Sequence, residues 1–196
     1  MSHHATEDIA VMRALPDVTV LCPGDLVEAR AVTQAIADYP GTCYVRLGRG
    51  GEKKIHPDNV KFEIGKAIKV QDGKDVAIFS TGAIFEEVAE TCEILKENGI
   101  IPTVYTFPTV KPIDTKTICE IAKSHKLIVT CEEHNLSGGF GSAVAEVLAE
   151  LPSHARLLRM GMNDQYCTIV GDQKYLRDQY GISGEKIAEK ILHEVK

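Results

Sequence analysis

The chain has 196 residues, of which 44% are hydrophobic and 26% charged, and this composition indicates an ordinary folded protein and excludes a disordered one. The formal net charge of −6 and the lack of a basic stripe argue against a nucleic-acid-binding protein. No apolar run approaches the ~20 residues that cross a bilayer, and residues 1–13 lack the pattern of a signal peptide. We therefore predict a cytoplasmic protein that binds neither nucleic acid nor membrane.

The cysteines and histidines give no sign of a disulfide framework or a zinc site. The six cysteines are scattered along the chain without a C-x-x-C pair, which is typical of reduced cysteines packed in a core. The seven histidines do not cluster with cysteine or carboxylate at metal-ligand spacing. We therefore predict no metal site on this chain.

The first 62 residues contain about two strands and two helices. Val18–Cys22 and Thr42–Leu47 have the apolar pattern of strands. Asp25 is a predicted N-cap, with Glu28 three residues later, for a helix that reaches about Asp38. These elements are too few to bury a core alone, so we expect them to pack on the remainder of the chain or to be the tail of a domain.

The remainder of the chain predicts a regular α/β domain. The turn-rich segment after the first strands predicts a hairpin over Phe62–Val70, and strands then alternate with helices. The predicted strands are Val76–Ser80, Pro102–Phe107, Leu127–Cys131 and Ala155–Gly161, and the predicted helices are Phe85–Asn98, one capped by Asp114, one after Gly139, Lys174–Tyr180 and Ser183–Val195. Repeated units of this length predict a mostly parallel sheet with helices on both faces. We therefore predict a three-layer αβα domain at residues 63–196, preceded at 1–62 by the remnant of a second α/β domain.

A glycine-rich turn, Ser137–Ser142, joins a strand to a helix in the layout that nucleotide-binding folds use to hold phosphate. The dinucleotide fingerprint fails because its third small position is occupied by Val144, and no Gly-Lys-Ser/Thr sequence follows. We therefore predict that these glycines let a helix begin close to the sheet or to a neighbouring subunit.

Several segments together carry a family resemblance. "FPTVKPID", "LIVTCEEHNLSGGFGSAVAEVL" and "GDQKYLRDQYGI" look like the C-terminal domain of transketolase-type thiamine diphosphate enzymes. "SHHATEDIAVMRALPDVTVLCPGDLVEAR" followed by "CYVRLGRG" is similar to the end of the pyrimidine-binding domain of the same enzymes. Within this family, these motifs most resemble those of the C-terminal subunits of two-chain transketolases.

This resemblance implies a part of an enzyme that uses thiamine diphosphate and magnesium to move a two-carbon ketol unit between sugar phosphates. It implies an N-terminal transketolase subunit as partner and a homodimer formed through the C-terminal domain. The cofactor-activating glutamate would lie upstream of Met1, so we expect the chain alone to be inactive and to bind no cofactor. Two alternatives stay open: a fragment of a deoxyxylulose-phosphate synthase or 2-oxoacid dehydrogenase beta subunit, and a non-catalytic assembly or regulatory module.

The resemblance also assigns candidate site residues. His3 corresponds to a family histidine that contacts sugar oxygens, although it also fits a terminal residue without a role. Arg49 matches the arginine that holds the terminal phosphate of the substrate, for which a guanidinium fork is well suited; a solvated turn arginine is the alternative. Arg46 alternates with Val45 and Leu47 and is predicted to face the same active site.

Glu132, Glu133 and His134 follow a strand at its carboxyl end, where open α/β sheets often bind ligands. Carboxylates beside an imidazole also suit acid–base chemistry. The resemblance implies domain and subunit contacts here instead, and we predict that the Ser137–Ser142 loop lies at a subunit contact and binds no nucleotide.

Overall fold

The computed structural model describes residues 5–48 and 50–195. This part of the chain forms seven α-helices and eight β-strands, and the strands are arranged in two sheets. The strands are β1 Val18–Leu21, β2 Thr42–Val45, β3 Ile68–Gln71, β4 Val76–Thr81, β5 Thr103–Thr106, β6 Thr109–Lys111, β7 Leu127–Asn135 and β8 Arg156–Met162. The helices are α1 Asp8–Ala14, α2 Leu26–Ile36, α3 Phe85–Glu97, α4 Thr115–Ser124, α5 Phe140–Ala149, α6 Gln173–Gln179 and α7 Gly184–Glu194. None of these helices has the length and apolar composition that a membrane crossing requires.

The larger sheet has the strand order β3-β5-β4-β7-β8, and only β3 runs antiparallel to its neighbour. Its two faces bury different helices because side chains alternate along a strand. Val76 and Ile78 of β4 belong to the core that contains α3 and α7. Ala77 and Phe79 belong to the core that contains α4 and α5. The predicted three-layer αβα arrangement with a mostly parallel sheet is thereby confirmed.

The smaller sheet connects the beginning of the chain to its second half. β1 pairs in parallel with β2 and antiparallel with β6, which comes from residues 109–111. Ile9 of α1 and Val20 of β1 lie in the same apolar core as Phe107 and Phe140. The first elements therefore pack on the remainder of the chain and share a sheet with it. The predicted boundary between 62 and 63 stays a prediction.

The hairpin predicted over Phe62–Val70 is wrong. Only β3 forms in this region, and it pairs with β5. Side-chain acceptors bind the backbone donors that a first hairpin strand would have used. The N–H of Gly65 donates to Thr109 Oγ1 at 3.1 Å, and the N–H of Ala67 donates to Asp114 Oδ2 at 3.0 Å. The short β6 was not predicted, because three residues carry too little pattern to indicate a strand.

Asp25 is the N-cap of α2, as predicted, and it also fixes the long segment after β2. Oδ1 accepts from the N–H groups of Val27 and Glu28 at 3.0 and 2.9 Å. Oδ2 accepts from the N–H groups of Ile55 and His56 at 2.9 and 2.8 Å. Burial alone would raise the pKa of Asp25, but hydrogen bonds from His56 and from the backbone outweigh burial and hold the pKa well below its usual range. One carboxylate thus ties two distant segments together.

We expect Asp25→Asn to lower the free energy of unfolding by about 1.5–3 kcal/mol, the range for hydrogen bonds to a charged group. An asparagine oxygen still caps α2, whereas its NH₂ group cannot accept from Ile55 and His56. The matched control is Asp172→Asn, because Asp172 is an exposed N-cap whose side chain accepts, among the described residues, from the N–H of Tyr175 alone. Urea unfolding measures the free energy of unfolding of both variants. Equal, small losses of stability would show that the second carboxylate oxygen of Asp25 contributes nothing.

Candidate active-site cavity

A cavity of about 470 Å³ lies where strands of both sheets end. Its wall includes Cys22 and Arg46, which follow β1 and β2, and Ala83, which follows β4. Glu133 near the end of β7 and Met162 at the end of β8 complete this side. Because ligands of open α/β sheets bind at the carboxyl ends of strands, this cavity is the candidate site.

Arg46 lies in the wall of the cavity. Its Nη2 donates to the carbonyl oxygens of Ala5 and Glu133 at 2.7 and 2.9 Å. Its Nε lies 3.2 Å from Asp8 Oδ2, which also accepts from the hydroxyl of Tyr44 at 2.7 Å. Burial and this bond to the carboxylate raise the pKa of Tyr44 to about 12. Arg46 therefore joins three segments of the chain, and its predicted contact with substrate stays a prediction.

His3 and Arg49 lie outside the described residues, so their predicted roles stay predictions. The nearest described residues on the chain, Ala5 and Gly48, both line the cavity.

An ion pair stabilises the part of the cavity wall that α6 and the end of β7 form. Arg177 of α6 is 5% exposed, and its Nε and Nη2 donate to Glu133 Oε2 at 2.9 and 2.7 Å. Its Nη1 donates to Glu87 Oε1 at 3.1 Å, and Gln173 Nε2 donates to Glu133 at 3.0 Å. The Glu133 carboxylate is thus engaged within the chain, where it attaches α6 to β7. Sequence reasoning missed Arg177, because nothing near position 177 indicates a partner 44 residues away.

The glycine loop before α5 holds a carboxylate of the same chain. Glu132 is fully buried, and its oxygens accept from the N–H groups of Phe140 and Gly141 at 2.6 and 2.8 Å. A Cβ on Gly139 would lie 2.1 Å from Glu132 Oε2, so glycine is needed for this close approach. Burial raises the pKa of Glu132 to about 7, against the opposing effect of the two N–H groups. The position that a phosphate takes in nucleotide-binding folds is occupied here by Glu132.

The same loop contacts α1. Gly138 has a φ of +75°, and a Cβ there would lie 2.7 Å from the Cβ of Ala10. Arg13 Nη1 donates to the carbonyl oxygens of Gly138 and Gly139 at 2.6 and 3.1 Å. These contacts within one chain explain the glycines without a neighbouring subunit. The predicted subunit contact at the loop stays a prediction.

Comparison with known proteins agrees with this architecture. The family model for the C-terminal domain of transketolase matches residues 65–187. The chain belongs to the transketolase family. The match covers the five strands of the larger sheet and ends in the first turn of α7. It confirms the resemblance carried by the three C-terminal segments.

The transketolase relatives extend the match to the whole chain. A putative transketolase C-terminal section of Methanocaldococcus jannaschii is 41% identical over 100% of this chain and 61% of that protein. A subunit of the apulose-4-phosphate transketolase of Actinobacillus succinogenes is 32% identical over 97% of this chain and 61% of that protein. A solved split-gene transketolase, described as an inactive beta4 tetramer, superimposes with a TM-score of 0.91 at 34% identity, over 98% of this chain and 62% of that one. The chain thus spans about three-fifths of these relatives.

The described residues of this transketolase-family chain do not fit a magnesium diphosphate group. Within residues 5–48 and 50–195, no three His, Cys, Asp or Glu side chains come together in a way that could hold a metal ion. The glycine loop, the other candidate for phosphate, is filled by Glu132.

We expect Gly139→Ala to lower the free energy of unfolding by about 1–3 kcal/mol, since an added methyl group would overpack a closed site. Its φ of −75° suits alanine, so any loss reports the contact with Glu132 and not backbone strain. Ser137→Ala, in the exposed part of the same loop, is the matched control. If thermal unfolding finds both variants as stable as the wild type, the packing of Gly139 against Glu132 is not tight.

Proposed function

We propose that this chain is the C-terminal portion of a two-chain transketolase, where it supplies sugar-phosphate contacts and dimer contacts. The observation that carries the proposal is the match of nearly the whole chain to relatives named as a transketolase C-terminal section and as one subunit of a transketolase. The cavity at the strand ends, with Arg46 in its wall, supports it.

The proposal assigns thiamine diphosphate and magnesium to sequence outside the described residues, chiefly to an N-terminal transketolase subunit. The lack of metal ligands among the described residues and the filled glycine loop support this assignment. The reaction that we propose is ketol transfer between sugar phosphates. No step of it is assigned to the glycine loop.

The substrate roles proposed for this chain belong to three residues. Arg49 binds the terminal phosphate of the sugar, His3 contacts its oxygens, and Arg46 faces the substrate from the cavity wall while it keeps the surrounding segments in place. The position of Gly48 and Ala5 in the cavity wall supports the first two assignments. The contacts of Arg46 with Asp8 and Ala5 support the third.

The proposed assembly contains an N-terminal subunit and two copies of this chain that meet through the C-terminal domain. The solved split-gene relative is described as an inactive beta4 tetramer. We infer by analogy that this chain associates with itself and is inactive until the partner subunit joins. An apolar core lies on each face of its larger sheet, and one of these cores also contains Ile9 and Val20 of the first elements.

We expect the purified chain to bind no thiamine diphosphate in calorimetry with magnesium, and to form a complex with the N-terminal transketolase subunit of the same organism. Ketol transfer from a ketose phosphate to an aldose phosphate should appear only when both subunits are present. For this assay the chain is produced at the same length as its full-length relatives. Sedimentation measures assembly, and each subunit alone is the control.

Three outcomes would contradict this proposal in different ways. Saturable micromolar binding of the cofactor by the chain alone would overturn the cofactor assignment. Turnover of a 2-oxoacid donor in place of the ketose phosphate would favour a deoxyxylulose-phosphate synthase or a 2-oxoacid dehydrogenase. A complex without any activity would favour an assembly module.

In the active complex, we expect Arg49→Ala to reduce kcat/KM for phosphorylated sugars about tenfold to hundredfold, the effect of losing one charge-assisted hydrogen bond. Unphosphorylated analogues should lose far less. Arg30→Ala is the control, because Arg30 is an exposed arginine of α2. Equal losses for both substrate types would remove Arg49 from the phosphate site.

A further inference from the structure

Helix α1 lacks a capping side chain of its own. Its N-cap residue is Glu7, whose side chain makes no capping hydrogen bond to the helix. The first N–H groups of a helix have no partner inside the helix, so they need an acceptor from elsewhere. The N–H of Ala10, in the first turn, finds one on a strand 124 positions away: it lies 3.4 Å from His134 Nε2.

The end of β7 fixes the orientation of the His134 ring. The side chain is fully buried, and its Nδ1 lies 2.7 Å from the carbonyl oxygen of Asn135. A carbonyl can only accept, so Nδ1 carries the proton and Nε2 is left as an acceptor for Ala10. The N–H of Asn135 also donates to the carbonyl oxygen of Thr6 at 2.7 Å. Two consecutive residues of β7 therefore form hydrogen bonds to the start of α1.

The start of α1 forms part of the cavity wall. Thr6 and Asp8 both line the cavity, and Asp8 is the acceptor for the side chains of Tyr44 and Arg46. A shift of α1 would move Asp8 and remove the common partner of these two side chains. The placement of the cavity wall thus depends on how α1 sits on β7.

We propose that His134 is a positioning residue for the candidate active site, which it serves as the remote cap of α1. It fixes α1 through Ala10, and α1 fixes Asp8. Its consequence for turnover rests on the proposed function, whereas its effect on α1 does not. Neither the acid–base interpretation of this histidine nor a metal-ligand role is needed.

The surroundings of His134 favour the neutral ring. Burial lowers its pKa, and the nearby Arg46 lowers it further, whereas the backbone carbonyls of Asn135 and Glu7 and the carboxylate of Asp8 act in the opposite direction. The facing charged groups are Asp8 of α1, with Oδ1 4.0 Å from Nε2, Glu132 of β7, with Oε2 3.8 Å from Nδ1, and Arg46 after β2. Protonation would place a donor opposite the N–H of Ala10. Because the folded state disfavours the proton, docking of α1 is complete at neutral pH and is lost as the pH falls below the usual histidine range of about 6.5.

The test compares His134→Ala with His134→Gln by hydrogen exchange at pH 7.5. The alanine variant removes the acceptor, so protection factors in α1 should fall roughly five- to tenfold, as for the loss of one N-cap. The glutamine carbonyl can reach the position of Nε2, so protection should recover. His154→Gln, at an exposed histidine, is the control and should leave α1 unchanged. Unchanged protection of α1 in the alanine variant would overturn the proposal, as would equal losses in the alanine and glutamine variants.

The wild-type protein gives an independent measurement if the alanine variant fails to fold. Nitrogen-15 spectra of the ring should show the Nδ1–H tautomer at pH 7.5. Protection of α1 relative to α7 should fall as the pH is lowered from 7.5 to 5. The Nε2–H tautomer, or equal losses in both helices, would overturn the proposal.

In the complex with the N-terminal subunit, kcat/KM should fall for His134→Ala and recover for His134→Gln. If the wild-type complex has no transketolase activity, the proposed function fails, while the exchange and tautomer results still decide the role of His134. If the complex is active and the alanine variant retains full kcat/KM, His134 does not position the site.

Discussion

The structure depends on the last four residues of β7, and above all on the buried carboxylate of Glu132. This strand is nine residues long, and its end continues past the last pair with β4, at Glu132 and Thr81. Glu132 occupies the N-terminus of α5, where two N–H groups stabilise it. The next residues turn to other partners: Glu133 to α6 and His134 to α1. One strand end thus orients three helices, of which α1 and α6 line the cavity.

The cavity exists because two sheets share one chain segment. β6 leaves the larger domain for three residues and pairs with β1. Next to it, the hydroxyl of Thr81 donates to the carbonyl of Phe107, and the N–H of Gly82 donates to the carbonyl of Cys22 at 3.0 Å. These bonds place the strand ends of both sheets side by side. A cavity of this kind needs residues from both halves, so neither half contains the candidate site alone.

The glycine loop illustrates how a familiar layout can serve another purpose. A strand, a glycine turn and a helix N-terminus form a place for an anion. In this chain Glu132 is that anion, and it comes from the strand itself. The failed fingerprint in the sequence argued against a dinucleotide but did not reveal that Glu132 occupies this position. Burial of the Glu132 carboxylate disfavours its charged form, which is why its pKa is raised. Gly139 packs so closely against this carboxylate that a side chain at position 139 would collide with it.

The sequence by itself determined the family and most of the elements, but it missed β6 and predicted a hairpin over Phe62–Val70 that does not form. Alternating strands and helices, the cap at Asp25 and the quoted motifs are local patterns, because periodicity and capping act between residues a few positions apart. Tertiary structure alone decided the pairing of β1 with β6, the ion pair of Arg177 with Glu133 and the contact of His134 with Ala10. These partners lie up to 124 positions apart, and no local pattern records which distant groups the fold brings together. The chemistry of each side chain was visible from the start, but its partner was set by the packing of the two sheets.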